Sequence, residues 1–325
     1  MLSAALKRLN IFVADKKSLL IITAKILIAG VLLYYLTKSI HPTKILRSFL
    51  NADFYLISAA FLLSFVNIYF QFLKWRLLCN SVLKIKDNRS VFYSLFYGFS
   101  AGITTPFRAG EYLGRAIPFK DMSVIKVTLL TAVDKLFPLI IVTFTGSVAT
   151  IIFMKYYYDI PEFLVWILML VIVLLYSLLL NLMNNRAFWR NLIFNKLKTF
   201  SFVKKQIEKF QILTKLTTGI THNLSLLSLL FILVYTLQFT LLVMAFSEIQ
   251  NFILFFWASS LVMFTKSMIP PVTFGELGIR EGVALFFFGI MGANDSAIFD
   301  ASLFLFIINL VIPSVIGLIL LTKKS

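Results

Sequence analysis

Two short stretches carry the residues whose types and spacing suggest chemistry. Pro106-Phe-Arg108-Ala-Gly110-Glu111-Tyr-Leu-Gly-Arg115 and Pro271-Val-Thr-Phe-Gly275-Glu276-Leu-Gly278-Ile-Arg280 both read P-x-x-x-G-E-x-x-x-R, the second copy lying 165 positions after the first. Proline and glycine interrupt a helix and let the backbone turn, which frees amide N–H groups to face an anion. A Glu and an Arg four apart share one helical face, where pairing lowers the cost of holding either charge in a low-dielectric setting. Two readings follow. Either each pair staples its own turn, or Arg108, Arg115 and Arg280 meet a phosphate while Glu111, Glu276 and Glu281 serve as counter-charges. Pro106, Gly110, Pro270, Pro271, Gly275 and Gly278 are the expected helix-breaking positions.

Few other ionisable residues lie in apolar sequence. Asp134 and Lys135 sit beside Pro138, and because adjacent residues do not share a helix face each should find a different partner, one of them a motif arginine. Lys266, just before the second motif, either completes a cationic pocket or extends to the membrane interface. Lys25, Asn67 and Gln71 read as hydrogen-bonding groups between helices rather than substrate contacts, with Gln238 and Asn309 weaker candidates still. One cysteine, Cys79, and two histidines, His41 and His222, leave no internal disulfide, no Cys/His metal cluster and no catalytic site is assigned. No metal and no cofactor are expected.

The elements that must position these residues are set by composition. The chain has 325 residues, 60% apolar and 14% charged, with a mean hydropathy of +0.92. A soluble domain carries about 25% charged residues, so the main solvent is lipid. Spanning-length apolar runs occur at about 19–37, 52–73, 124–153, 163–182, 224–246 and 298–321. Two further stretches, 91–104 and 252–269, are shorter and run into Pro106 and into Pro270-Pro271. The net charge of +17 comes from 31 Lys and Arg against 14 Asp and Glu. Those charges are scattered between apolar runs, so anionic headgroups are the expected partner and nucleic acid is not.

Lys and Arg gather before the first span, after the second (Lys74, Arg76, Lys84, Lys86, Arg89), between 186 and 215, and at the C-terminus. By the positive-inside rule these ends are cytoplasmic. The chain is then inside at Lys86 and outside at Asp159 with one full crossing between them, so residues 91–120 must enter and leave on the same side. Residues 252–292 begin and end outside and form either a hairpin or two crossings. The expected fold is an all-α polytopic membrane protein of two inverted-topology repeats, 1–155 and 156–325, each with three spanning helices and one re-entrant broken-helix hairpin. Residues 186–217 alternate apolar and basic positions at helical spacing, an amphipathic helix in the cytoplasmic interface.

The run Arg108-Ala-Gly110-Glu111-Tyr-Leu-Gly-Arg115, with Gly275-Glu276-Leu-Gly278-Ile-Arg280-Glu281 as its counterpart, resembles the transmembrane part of lysylphosphatidylglycerol synthases and the stand-alone flippase-like modules related to it. The resemblance covers nearly the whole chain. It implies a flippase-like protein that binds a phosphate-containing amphipathic lipid (phospholipid, aminoacyl-phospholipid or polyprenyl-linked glycolipid) in the cell membrane. With the sequence ending at Ser325, a module without the synthase domain is expected. The family often carries an Arg and an Asp in the span after the first motif, where this chain has Val133-Asp134-Lys135. The competing class is a membrane enzyme of lipid or glycan modification, with Glu111 or Glu281 as general base. A third is a partner subunit for a lipid-synthesis enzyme. Lipid identity, energy source and oligomeric state stay open.

Overall fold

The computed structural model describes residues 42–105, 108–185, 187, 207–269 and 278–323. The expected first span at 19–37, Lys25, Pro106, Pro270, Pro271, Gly275 and Glu276 lie outside the described residues. The described chain is helical throughout: α1 (Pro42–Leu50), α2 (Phe54–Leu78), α3 (Asn88–Thr104), α4 (Ala109–Gly114), α5 (Val124–Tyr158), α6 (Glu162–Asn184), α7 (Ile207–Phe210), α8 (Thr218–Phe246), α9 (Phe252–Met268), α10 (Ile279–Ile290), α11 (Asp295–Phe306) and α12 (Ile312–Thr322). Wide π-helical turns extend α2 through Cys79–Leu83 and join α11 to α12 through Ile307–Val311. Among the described residues, five stretches are long and apolar enough to cross a membrane: Phe54–Leu83, Val124–Tyr158, Glu162–Leu182, Thr218–Phe246 and Asp295–Thr322.

Local chemistry sets the boundaries. Asp53 starts α2 by accepting from the amides of Tyr55 and Leu56 at 2.8 and 3.2 Å. Asp87 starts α3, taking the Arg89 and Ser90 amides at 3.0 and 3.1 Å and the Ser90 hydroxyl at 2.6 Å. Asn251 and Asn294 do the same for α9 and α11. Each satisfies amide donors that have no partner inside the first turn.

The two broken segments fold as antiparallel pairs. α4 lies back along the end of α3, with Gly110 against Ala101 and Gly114 against Tyr97. A Cβ on Gly110 would stand 2.1 Å from the Ala101 carbonyl oxygen, so the approach demands glycine there. Gly110, expected at the break itself, is in the first turn of α4, and the chain reverses at Arg108, whose φ is +53°. The start of α9 lies beside the end of α10, with Phe255 and Phe288 ring centroids 5.7 Å apart. At 12 residues, α10 is about 18 Å long, short of the roughly 30 Å hydrocarbon core.

Two apolar clusters fill the bundle. One joins Trp75, Leu78, Leu95, Leu130 and Phe137 around the first hairpin. The other joins Phe239, Val243, Phe255, Leu261 and Phe288 around the second. Lipid tails compete equally well for apolar surface, so helix contact in a membrane relies on close approach of small residues. Gly146 of α5 lies directly under Phe264 of α9, and Gly317 of α12 under the Phe96 carbonyl of α3. α6 turns Trp166, Leu170, Leu174 and Leu178 outward as a lipid-facing surface. Most of the expected interfacial helix at 186–217 lies outside the described residues. Its described end buries Phe210, Ile212, Leu213 and Leu216 in the first cluster.

One boundary corrects the sequence reading. α2 runs to Leu78 rather than ending near residue 73, which moves Lys74 from a cytoplasmic connection into the bundle, where it is 2% exposed.

Candidate functional site

The first hairpin builds a chain of buried ion pairs. Glu111 Oε1 accepts from Arg115 Nη2 at 2.8 Å and from Lys135 Nζ at 2.6 Å, while its Oε2 lies 3.2 Å from Arg108 Nη2. Arg115 reaches on to Asp134 with Nη1 at 2.8 Å, and Asp134 Oδ1 meets Lys74 Nζ at 3.2 Å. The adjacent Asp134 and Lys135 thus take different partners, as their positions on a helix require. Four cations surround two carboxylates, leaving positive charge in excess.

Pro138 explains the position of Lys74. A proline inside a helix has no N–H to offer the carbonyl four residues back, which here is that of Asp134. Lys74 Nζ donates to that carbonyl at 3.0 Å, so one ammonium caps the freed backbone oxygen and is ion-paired with the Asp134 carboxylate. Arg115 is stacked over Trp75, 4.6 Å from the ring centroid. Ser94 takes the Trp75 indole N–H at 3.0 Å and donates to the Arg115 carbonyl at 2.6 Å, fixing the ring and the end of α4 together.

The second hairpin has a smaller version. Gly278, at φ +86°, begins α10, and its amide donates to Glu281 Oε2 at 2.6 Å. Arg280 pairs with Glu281 Oε1 at 2.6 Å, its Nε donates to Ser302 Oγ at 2.8 Å, and Ser302 donates to Glu281 Oε1 at 3.1 Å.

Between the hairpins lies a cavity of about 240 Å³. Arg108, Lys135, Lys266 and Arg280 all line it, and among the described lining residues there is no carboxylate. Asn67, Gln71 and Asn309 add amides; Phe99, Phe231, Met263 and Phe306 add apolar wall. Side-chain exposures of 27% for Arg108 and 33% for Lys135 contrast with 0% for Arg115 and 2% for Glu111. Glu111 therefore stands behind the cavity and holds Arg108 and Lys135, and Glu281 holds Arg280; Arg115 and Asp134 lie further back, and none of these four lines the cavity. Arg108 Nε and Asn67 Nδ2 have no hydrogen-bond partner among the described residues. No group of His, Cys, Asp and Glu suited to a metal ion occurs among them either.

Lys74, Trp75, Ser94 and Ser302 belong to this arrangement without having been singled out in the sequence. A proline four residues after an acid, inside an apolar run, was the one available signal, since it announces a carbonyl in need of a donor. Nothing in the spacing marks the serines.

Helices of spanning length, a lipid-facing apolar exterior and buried charge at broken helices define a multi-pass membrane protein. The family model for the lysylphosphatidylglycerol synthase TM region matches residues 22–317, nearly the whole chain, and the chain belongs to that family. It is thereby a membrane module related to lipid modification or flipping. Comparison with individual curated proteins gives no match.

Proposed function

We propose that the protein binds the phosphate of an amphipathic membrane lipid in the cavity between the hairpins and moves that lipid between leaflets. The observation that carries this reading is the convergence of Arg108 and Lys135 from one side and Lys266 and Arg280 from the other on one space. Glu111 and Glu281 pair three of these cations from behind, and phosphate oxygens are the anionic acceptors a bilayer supplies on the cavity side. At about 240 Å³ the cavity matches a headgroup and not a whole lipid, whose ligand-sized site would exceed about 300 Å³. The acyl chains would stay in the bilayer.

In this reading residues 1–155 and 156–325 are inverted-topology repeats, and 91–120 and 252–292 are re-entrant hairpins that enter from opposite faces. Irregular backbone is tolerated at membrane depth where it lines a cavity. The protein resides in the cytoplasmic membrane with both termini inside. Its partners are anionic phospholipid or lipid-linked phosphate, with a lipid-synthesis enzyme as the protein that would supply the cargo.

Proteoliposomes with acyl-labelled phosphatidylglycerol test the reading. Wild type should move the labelled lipid between leaflets well above protein-free vesicles, and Arg108→Ala should lower the rate at least tenfold with folding unchanged. Equal rates for wild type and Arg108→Ala would refute the site.

A further inference from the structure

The end of α2 and the start of α8 enclose a second recess, and none of its lining residues lines the cation cavity. The two helices run antiparallel: Gln238 donates to the Ala60 carbonyl at 2.9 Å toward one end, and Lys74 lies over the Phe231 ring, 5.5 Å from its centroid, toward the other. Beyond Lys74 they border a space of about 440 Å³. Arg76 lines it.

Polarity in this recess is graded along both helices. Along α2 the lining passes from Leu73 and Leu77 to Asn80 and Ser81 beyond the helix end, and along α8 from Leu227 and Leu226 back to Asn223 near the start. Both polar ends lie on the face that the positive-inside rule assigns to the cytoplasm. Asn80 and Ser81 stand on the π-helical turn Cys79–Leu83, and such turns recur at functional positions. Arg76, partly exposed between the two halves, has no ion pair and no side-chain hydrogen bond among the described residues, and no Asp or Glu lines the recess. The sequence leading into α8 adds more of the same charge, since residues 186–215 hold eight Lys and Arg against one acid, Glu208.

We propose that this recess holds an anionic phospholipid of the cytoplasmic leaflet as a resident lipid distinct from the cargo, with Arg76 on the phosphate and an acyl chain across Leu73, Leu77, Leu226 and Leu227. A guanidinium binds phosphate oxygens through charge-assisted hydrogen bonds, and basic recesses between spanning helices on the cytoplasmic side hold anionic headgroups. Asn80, Ser81 and Asn223 add uncharged donors. With no lining carboxylate, an ammonium on the headgroup would go unpaired. The four leucines continue the recess toward the bilayer interior, where a lipid places its chain and a free phosphate has no counterpart.

Phosphatidic acid, diacylglycerol and glycerol 3-phosphate separate the two halves, because the first joins the phosphate of the third to the chains of the second. The full chain carrying Arg108→Ala, which takes a cation out of the other cavity, is titrated with each in detergent while its melting temperature is followed. Phosphatidic acid should raise the melting temperature and the other two should not. Adding Arg76→Gln should leave lipid-free melting unchanged and raise the phosphatidic acid concentration for a half-maximal shift about tenfold, the loss of a charge-assisted hydrogen bond. Leu226→Trp, which keeps the charge and fills the apolar half, should do the same. An equal phosphatidic acid shift with and without Arg76→Gln would overturn the site, as would a shift from diacylglycerol alone. An equal shift from glycerol 3-phosphate would overturn the lipid as occupant and leave a free-phosphate site. None of these outcomes depends on lipid movement through the cation cavity, so the two readings stand or fall separately.

Discussion

A lysine four residues from the end of a helix ordinarily reaches for water, and Lys74 turns inward instead. It does so because Pro138 leaves the Asp134 carbonyl without its helical donor and because Asp134 needs a cation. Removing one partner of a buried pair strands the other, at about 3–5 kcal/mol. Lys74→Met should therefore lower the thermal stability of the purified protein by about that amount, whereas Arg108→Ala, at the edge of the same network, should leave it nearly unchanged while slowing lipid movement at least tenfold. Melting curves in one detergent would read the first effect and a transport assay the second. This contrast also marks what the sequence revealed at residue scale. The spacing of Glu111 and Arg115 and the adjacency of Asp134 and Lys135 were legible as pairing geometry. Lys74 was not, because a cation at the end of an apolar run looks the same whether it points to the headgroups or to a buried acid.

At the scale of elements, glycine has two opposite uses. Gly110 and Gly114 let α4 press onto α3 where no Cβ fits, while Gly282 within α10 has open space around its Cα. Gly110→Ala should destabilise the first hairpin by about 1–3 kcal/mol through overpacking. Gly282→Ala should be neutral or stabilising by up to about 1 kcal/mol through helix propensity; paired unfolding curves would show the difference in sign. The start of α3 gives a pH dependence. The Ser90 hydroxyl, followed by the Arg89 and Ser90 amides, holds the Asp87 carboxyl below the ordinary aspartate range. A carboxyl lowered on folding contributes stability that is complete above its unfolded value of about 3.9 and lost as pH falls through the folded value. Hydrogen exchange in the first turn of α3 should accelerate, relative to the rest of the helix, only below about pH 4, and Asp87→Asn should remove that acid-side step. Apolar run lengths gave the long helices closely. The short ones were harder, since a 17-residue run such as α9 has the composition of a span, while α10 beside it has only 12 residues.

For the whole molecule, the basic excess has two roles. Most of the 31 cations flank apolar runs, where the positive-inside rule would make them set orientation, and a few converge on a cavity between the hairpins. Orientation is testable with little engineering, because the sole cysteine, Cys79, is buried and silent to impermeant reagents. In intact cells Asp159→Cys should label from outside and Lys86→Cys should not. The convergence itself was only half legible. Pro-Gly-Glu-Arg motifs announced two sites, but that Lys135 and Lys266 face the same space as Arg108 and Arg280 follows from how α5 and α9 cross at Gly146, which no spacing encodes. The central claim is that this space holds a lipid phosphate. A density map of the protein in nanodiscs containing phosphatidylglycerol tests it most directly: a headgroup within hydrogen-bonding distance of Arg108, Lys135, Lys266 and Arg280 is predicted, and lipid ordered only along the outer apolar faces, with the cavity closed by side chains, would contradict it.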